Sequence, residues 1–352
     1  MRGALTVICL STTGMLATGL ALGTAVRDPL PSTLGATGLY ANGSIEEPSA
    51  GVESFTPQYP LWSDGATKRR WISLPPGTVI DASRPAAWDF PRGTKLWKEF
   101  SVEGRRIETR LIERLADGGW RFAAYAWNDD LTEAKLAPAN RTSSVPLTGG
   151  GVYTIPSEAD CRACHEGAAV PVLGFSALQL SPDRDPLAPH SEALRAGDLD
   201  LTALMAGGRL VGLPHGLAEK PPRIAAPTPA GRAALGYLHA NCGQCHVDPQ
   251  LSGSAVPVEL QLALDPADAA SAEKTMRRLI ESASRYRPKG AADARLVVPG
   301  NAAAGTLLAR MRSRDPRIQM PPLGSAVVDH EAIALLERWI NEDLRENRET
   351  TP

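Results

Sequence analysis

The sequence is poor in the features that mark several common functional classes. Of its 352 residues only five are cysteine and 5% are aromatic, and the formal net charge is −2. It has no basic run and no clustered acidic tail, so nothing favours binding to nucleic acid or to an anionic membrane surface. Membrane contact is expected only if the extreme N-terminal segment is retained in the mature protein.

The first 25 residues predict a secretory signal peptide. Arg2 is followed by an uncharged stretch that runs to Val26 and ends in small residues, which is typical of such peptides. We therefore expect cleavage near Ala25, export to the periplasm, and loss of Cys9 with the peptide. The alternative is a retained membrane anchor facing the periplasm, because an uncharged run of this length could span a bilayer.

The other four cysteines occur in two copies of the motif Cys-x-x-Cys-His. The copies consist of Cys161, Cys164 and His165, and of Cys242, Cys245 and His246. This motif is the attachment signature of a c-type haem, in which two thiols form thioethers with the haem vinyl groups and the adjacent imidazole binds the iron. The sequence therefore predicts two covalently attached haems and a role in electron transfer.

Zinc and disulfides are the competing interpretations of these cysteines. Zinc ribbons usually separate their cysteine pairs by roughly 15 to 20 residues, whereas Cys161 and Cys242 are 81 residues apart. A disulfide within each pair would leave both histidines without a role, and the setting lacks a thioredoxin-like βαβ pattern. Haem attachment accounts for all four cysteines and both histidines.

Alternating apolar and polar residues predict a β-rich region before the first motif. The pattern is clearest in four runs separated by proline- and glycine-containing turns: Lys68 to Leu74, Lys95 to Val102, Arg105 to Leu115 and Trp120 to Trp127. Six of the seven tryptophans also lie in this region, where aromatic side chains most often fill a core. We expect half-buried antiparallel strands here.

The predicted fold is multidomain: an N-terminal, mainly antiparallel β domain followed by two mainly α, cytochrome c-like haem modules. The expected boundaries are a signal peptide over 1–25, an extended lead-in over 26–50, a β-rich domain over 51–146, a first haem module over 147–227 and a second over 228–346. Beyond residue 152 the strand pattern fades.

Two helices are expected around the second motif. Thr228 and Pro229 make a helix start that leads into Cys242, with Thr228 as N-cap and Pro229 at the first helical position. Asp329 can cap a final helix, whose apolar residues recur at helical spacing. Helices that lead into a haem motif and cross it at the end are typical of small cytochromes c, and Gly236 or Tyr237 is a candidate crossing point against Trp339.

Met320 is the candidate second axial ligand of the haem held by His246. It lies between the two helices in the sequence Met320-Pro321-Pro322, where prolines would stiffen the loop. A neutral thioether ligand favours ferrous iron and raises the reduction potential. Met276 and Met311 are the rivals, but both lie in helix-like sequence flanked by arginine.

No comparable ligand is evident for the haem held by His165. The candidates are Met205, His190 and His215, and His239 would be reachable if the two motifs pack closely. His190 and His215 lie in proline-rich sequence, and Met205 lies in an apolar run that ends at two glycines. An open sixth position on this iron is therefore also a possibility.

Several further segments carry a family resemblance. They are Leu61–Ala66 (LWSDGA), Lys68, Leu74-Pro75, Phe90–Thr94, Glu108–Arg110, Tyr125–Asn128, Tyr237–Cys242, Val298–Gly300 and Met320–Gly324. With the two haem motifs, the chain resembles a largely uncharacterised family of exported dihaem c-type cytochromes with an LWSDGA-containing β domain. The resemblance covers most of the mature chain. It implies two covalent haems and soluble electron transfer, and it supplies no substrate.

The expected function is electron transfer between periplasmic redox proteins, one donor and one acceptor, through two haem c groups. An electron carrier is favoured over an enzyme. The first alternative is a dihaem peroxidase-like oxidoreductase in which the haem held by His165 has an open position. The second is a cytochrome subunit that docks on a periplasmic dehydrogenase.

Overall fold

A computed structural model describes residues 28–148, 151–247, 260–288 and 293–345. The expected signal peptide and Cys9 lie outside these residues. Within the described ranges, none of the helices combines the length and the apolar character that a membrane span requires.

An antiparallel sheet of six strands forms the N-terminal half. Its order is β1-β2-β4-β5-β6-β7, and its strands are β1 (Val52–Ser54), β2 (Thr67–Ser73), β4 (Lys95–Val102), β5 (Arg105–Arg114), β6 (Trp120–Trp127) and β7 (Ala134–Leu136). Two small sheets flank it, one pairing β3 (Ile80–Asp81) with β10 (Leu210–Val211) and the other pairing β8 (Ser143–Pro146) with β9 (Val152–Ile155). The predicted N-terminal, mainly antiparallel β region is confirmed.

Both faces of this sheet are buried. On one face, Leu34, Leu39 and Tyr40 of the lead-in pack against Trp71 and Trp97. On the other face, the chain after the first motif shares a core with the strands, and Cys161 belongs to that core. The first Cys-x-x-Cys-His motif is therefore built directly against the sheet.

The helices are short and separated by long irregular segments. Seven α-helices occur in the described residues: α1 (Glu158–His165), α2 (Leu201–Ala206), α3 (His215–Glu219), α4 (Pro229–Cys242), α5 (Ser271–Glu281), α6 (Thr306–Arg312) and α7 (His330–Arg338). The expectation of two mainly α, cytochrome c-like modules is wrong, because helix accounts for only 24% of the structure.

Composition and burial explain this difference. The chain between α1 and α4 contains eight prolines, and proline interrupts helices by removing a backbone donor and clashing with the preceding turn. Phe175 of this segment fills a gap between Phe55, Trp88 and Phe90 of the β region, with ring centroids 4.7 to 5.8 Å away. The segment thus buries its apolar side chains against the sheet and needs no helical core of its own.

The two helices expected around the second motif are present with their expected caps. Thr228 Oγ1 accepts from Gly231 N and precedes α4, while the Asp329 side chain accepts from Ala332 N and precedes α7. The two helices pack against each other, and α7 continues into a π-helical turn, Trp339–Asp343. Trp339 lies beside Gly231 rather than Gly236, so the expected crossing point is displaced by more than one turn.

Gly236 instead faces Tyr59, and this contact predicts a sharp effect of substitution. A Cβ at position 236 would lie 2.0 Å from Tyr59 Cε1. Gly236→Ala should therefore destabilise the protein by about 1 to 3 kcal/mol through overpacking, measured by chemical unfolding. Gly216→Ala in α3 is the matched control, because its Cβ would meet nothing within 4 Å; an equal loss of stability in both variants would contradict this contact.

Candidate functional site

The first motif lies on α1, which packs against β6. The helix starts with a capping box, in which Ser157 Oγ accepts from Asp160 N and Asp160 accepts from Ser157 N. Cys161 is buried, Cys164 is half-buried, and the ring of His165 lies 5.4 Å from the ring of Phe122 on β6. The sheet therefore forms one wall of the space around this motif.

The second motif begins at the C-terminal end of α4. His246 N donates to Cys242 O over 2.8 Å, which closes a turn around the two cysteines. Cys242 is half-buried and Cys245 is exposed. Both motifs therefore present one more buried and one more accessible thiol.

Both motif histidines have the tautomer that leaves Nε2 free to bind a metal. His165 Nδ1 lies 2.6 Å from Pro171 O, and His246 Nδ1 lies 3.1 Å from Leu260 O. A carbonyl oxygen can only accept, so Nδ1 must carry the proton in each ring. The neutral ring then leaves Nε2 with a free lone pair, the arrangement in which the partner of one nitrogen orients the other toward a metal.

His239 has the opposite arrangement. Its Nδ1 accepts a hydrogen bond from Leu264 N over 3.0 Å, so in the neutral ring the proton is on Nε2. A protonated Nε2 has no lone pair for iron. Of these three buried or half-buried histidines, only the two in the motifs are prepared as ligands.

Burial controls the charge state of the site. It lowers the pKa of His165 to about 4, with a further lowering by the charges of Lys98 and Arg110, and it also lowers the pKa of His246. Burial raises the pKa of Cys161 to about 11 and that of Cys242 to about 12. At neutral pH the imidazoles and these thiols are therefore uncharged.

The two motifs interact electrostatically although 81 residues separate their first cysteines. Cys164 lies close enough to Cys245 for its negative charge, once ionised, to raise the pKa of the Cys245 thiol, after the larger effect of burial.

The four motif cysteines are free thiols, and the described residues contain no group of three or more His, Cys, Asp or Glu side chains that could hold a metal ion. The arrangement thus offers neither a disulfide nor a four-thiolate zinc site. The residues present fit covalent haem: two thiols and an oriented imidazole in each motif.

The Met320 loop is hydrogen-bonded to Arg310, a residue whose charge acts on His246. Met320 N donates to Arg310 O over 3.1 Å and Arg310 Nε donates to Ile318 O over 2.8 Å, while the charge of Arg310 contributes, after burial, to lowering the pKa of His246. Met320 is half-buried and does not belong to the apolar core that includes α4 and α7. The rivals pack differently: Met311 belongs to that core and Met276 lies against it.

The LWSDGA segment forms hydrogen bonds with the end of this loop. Asp64 accepts hydrogen bonds from Ala326 N and Val327 N over 3.0 to 3.1 Å. Trp62 Nε1 donates to Val327 O over 3.1 Å, and Trp62 N donates to Asn241 Oδ1 over 2.6 Å, directly before the second motif. Sequence reasoning singled out the LWSDGA segment but missed this role, which depends on contacts with residues 326 and 327.

The three candidates for the second ligand at His165 have different surroundings. Both ring nitrogens of His190 lie near carboxylates, 2.9 Å from Asp329 and 3.2 Å from Glu331. His215 is 85% exposed. Met205 packs against the core that contains Cys161. The structure thus brings Met205, of the three, into the same core as the first motif.

Sequence reasoning also missed a row of cations beside the first motif. Arg70, Lys98 and Arg110 are direct cross-strand neighbours in β2, β4 and β5. The sequence did contain a signal for this row: charged residues recur within strands whose length and apolar content predict burial.

Comparison with known proteins gives no assignment. No protein-family model matches the chain, and neither the curated proteins nor the solved structures contain a significant match. The resemblance to exported dihaem cytochromes therefore stays a prediction that rests on the motifs.

The tautomers predict which histidines can be replaced without changing the iron sites. In His239→Gln the amide oxygen can still accept from Leu264 N, so the low-spin ferric signals in the electron paramagnetic resonance spectrum should be unchanged. His246→Gln is the matched control and should remove one low-spin signal. Loss of such a signal in His239→Gln would show that His239 binds iron.

The contact of Asp64 with the Met320 loop predicts local changes in hydrogen exchange. Asp64→Ala removes the acceptor of two amides, and at about 1 kcal/mol per hydrogen bond the exchange of Ala326 N and Val327 N should accelerate roughly fivefold. Asp64→Asn keeps one oxygen acceptor and should show a smaller change. Ala332 N, which donates to Asp329, is the internal control; unchanged exchange at 326 and 327 would contradict the contact.

Proposed function

We propose that this protein is an exported dihaem c-type cytochrome that transfers electrons between periplasmic redox partners. The observation that carries the proposal is the pair of Cys-x-x-Cys-His motifs whose histidines both donate Nδ1–H to a backbone carbonyl. That hydrogen bond fixes the ring orientation and makes Nε2 the more basic ligand. A covalently held haem would supply one-electron exchange between ferric and ferrous iron.

The chain's own residues support a relay between two sites. Cys164 and Cys245 are electrostatic neighbours, so electrons would have a short path between the motifs. One cysteine of each motif lies against an apolar core: Cys161 shares a core with the sheet, and Cys242 packs against the core that includes α4 and α7. Apolar surroundings of this kind help to set the reduction potential.

Met320 is the proposed second ligand at His246, since the loop that carries it is hydrogen-bonded to Arg310 and tied to Asp64. At His165 the proposed second ligand is Met205, the candidate that packs against the core to which Cys161 belongs. Because the thioether is neutral, it would favour the ferrous state at either site.

A dihaem oxidoreductase is the second candidate function. It is favoured by the state of two of the three candidate ligands for the first motif, since His190 is held by two carboxylates and His215 is exposed. If Met205 keeps its core position without binding iron, one iron has an open position. Such a site could bind a small oxidant such as peroxide.

Haem content is the direct test of the proposal. In a host that attaches c-type haem, the exported chain should carry two covalent haems, measured by mass under denaturing conditions and by haem absorbance. Cys161→Ala with Cys164→Ala should remove one of them, and Cys242→Ala with Cys245→Ala the other. A chain without covalent haem, or one whose haem content survives either double substitution, would overturn the proposal.

The electron paramagnetic resonance spectrum of the same oxidised sample separates the two functions. Two low-spin ferric signals would mean that protein ligands close both irons, as an electron carrier requires. One high-spin signal that is absent from the Cys161→Ala, Cys164→Ala variant would identify an open iron at the first motif and favour the oxidoreductase.

A further inference from the structure

One face of the sheet carries a row of positive charges. Arg70 on β2 is directly opposite Lys98 on β4, and Lys98 is directly opposite Arg110 on β5. Cross-strand neighbours of this kind have Cβ atoms about 5 Å apart and point to the same side, and like charges in such positions repel. Three adjacent cations therefore need compensation.

Two of the three cations have a carboxylate partner. Arg70 donates from both terminal nitrogens to Glu192 over 3.1 and 3.2 Å, and Arg110 Nη2 donates to Glu108 Oε1 over 2.5 Å. Lys68, two residues before Arg70 and on the same face, donates to a backbone carbonyl, Leu61 O, over 2.9 Å.

Lys98 differs from its neighbours. No residue of the described ranges forms a hydrogen bond or an ion pair with its ammonium group, which lies 4.9 Å from the ring centroid of Phe100. Arg110 Nε is also buried without an acceptor. The four cations lie near Glu108, Glu192 and, beside Lys68, Asp329, and none of these carboxylates pairs with Lys98. A half-buried, unpaired ammonium among cations is unfavourable unless an anion binds there.

Lys98 lies on the face of the sheet that contacts the first motif. Arg110 is directly opposite Ala124 on β6, and Phe122, two residues away on the same face, contacts the ring of His165. The charges of Lys98 and Arg110 reach both Cys164 and His165: they oppose the rise that burial causes in the pKa of Cys164 and add to the lowering that burial causes in the pKa of His165. Burial and the neighbouring cations likewise lower the pKa of Lys98 well below its ordinary value.

We propose that Lys98, supported by Arg110, binds a propionate carboxylate of the haem attached at Cys161 and Cys164. A haem carries two propionates on one edge, and an ammonium in a poorly solvated position is a strong, charge-assisted partner for a carboxylate. The inference rests on the proposed function, and it assigns to the sheet a binding role beyond support of the motif.

The test uses the complete protein with both haems attached. Lys98→Met removes the charge and keeps an unbranched apolar chain against Phe100. A nearby cation stabilises the added electron of the reduced state, so its loss should lower one of the two reduction potentials. We expect a tenfold change in the ferric–ferrous equilibrium, which corresponds to about 59 mV for a one-electron couple. The other potential should stay unchanged.

Two further variants make the result specific. Lys98→Arg keeps the charge and should restore most of the potential. Lys95→Met is the matched control, because Lys95 lies on the same strand but donates to Thr37 O on the opposite face, so it should leave both potentials unchanged. If Lys98→Met does not fold, Lys98→Gln takes its place.

The outcomes separate this inference from the proposed function. Two covalent haems with unchanged potentials in Lys98→Met would overturn the inference and leave the proposed function intact. Equal shifts in Lys98→Met and Lys95→Met would overturn it too, since the effect would then be a general one of net charge. Absence of covalent haem from the unaltered protein would overturn both. A shift in wild-type potential on adding inorganic phosphate would show that Lys98 binds a free anion instead, and would also overturn the inference.

Discussion

The insertion of Phe175 between aromatic residues of the β region is the contact on which the site near the sheet depends. Its ring makes edge-to-face contacts with Phe55, Trp88 and Phe90, and full burial of such a side chain contributes about 1.5 to 3 kcal/mol, with a further gain from the ring geometry. Phe175 follows His165 by ten residues. Pro171, whose carbonyl accepts from His165 Nδ1, is four residues before Phe175, so the aromatic packing anchors the segment that orients the ring.

The two motif histidines reach the same tautomer by different routes. The carbonyl that accepts from His165 Nδ1 is six residues further along the chain, whereas the one that accepts from His246 Nδ1 is fourteen residues away. The pentapeptide motif itself therefore does not supply the accepting carbonyl, which lies at a different distance along the chain in each case. In both motifs the hydrogen bond leaves Nε2 of the neutral imidazole without a proton.

Local features were predictable from the sequence, and long-range ones were not. Period-two alternation located β4 and β6 to the residue, and the Thr228 and Asp329 caps gave the starts of α4 and α7. The two helical modules were wrong because the sequence does not reveal that the chain around Phe175 buries itself on a distant sheet. For the same reason the motifs predicted the thiols and imidazoles of the site, but not Asp64 or Lys98, whose roles depend on contacts across more than sixty residues of chain.

One face of the sheet carries several cations on strands that are largely buried. A strand buried on both faces is an unfavourable position for a cation, yet Lys68, Arg70, Lys98 and Arg110 all point to the face that carries the first motif. Salt bridges to Glu108 and Glu192 compensate the charges of the two arginines only. If stability alone shaped this face, apolar side chains would serve better than the two remaining lysines. The positive charge of Lys98 is therefore best explained by an anionic group that the folded chain receives at this face.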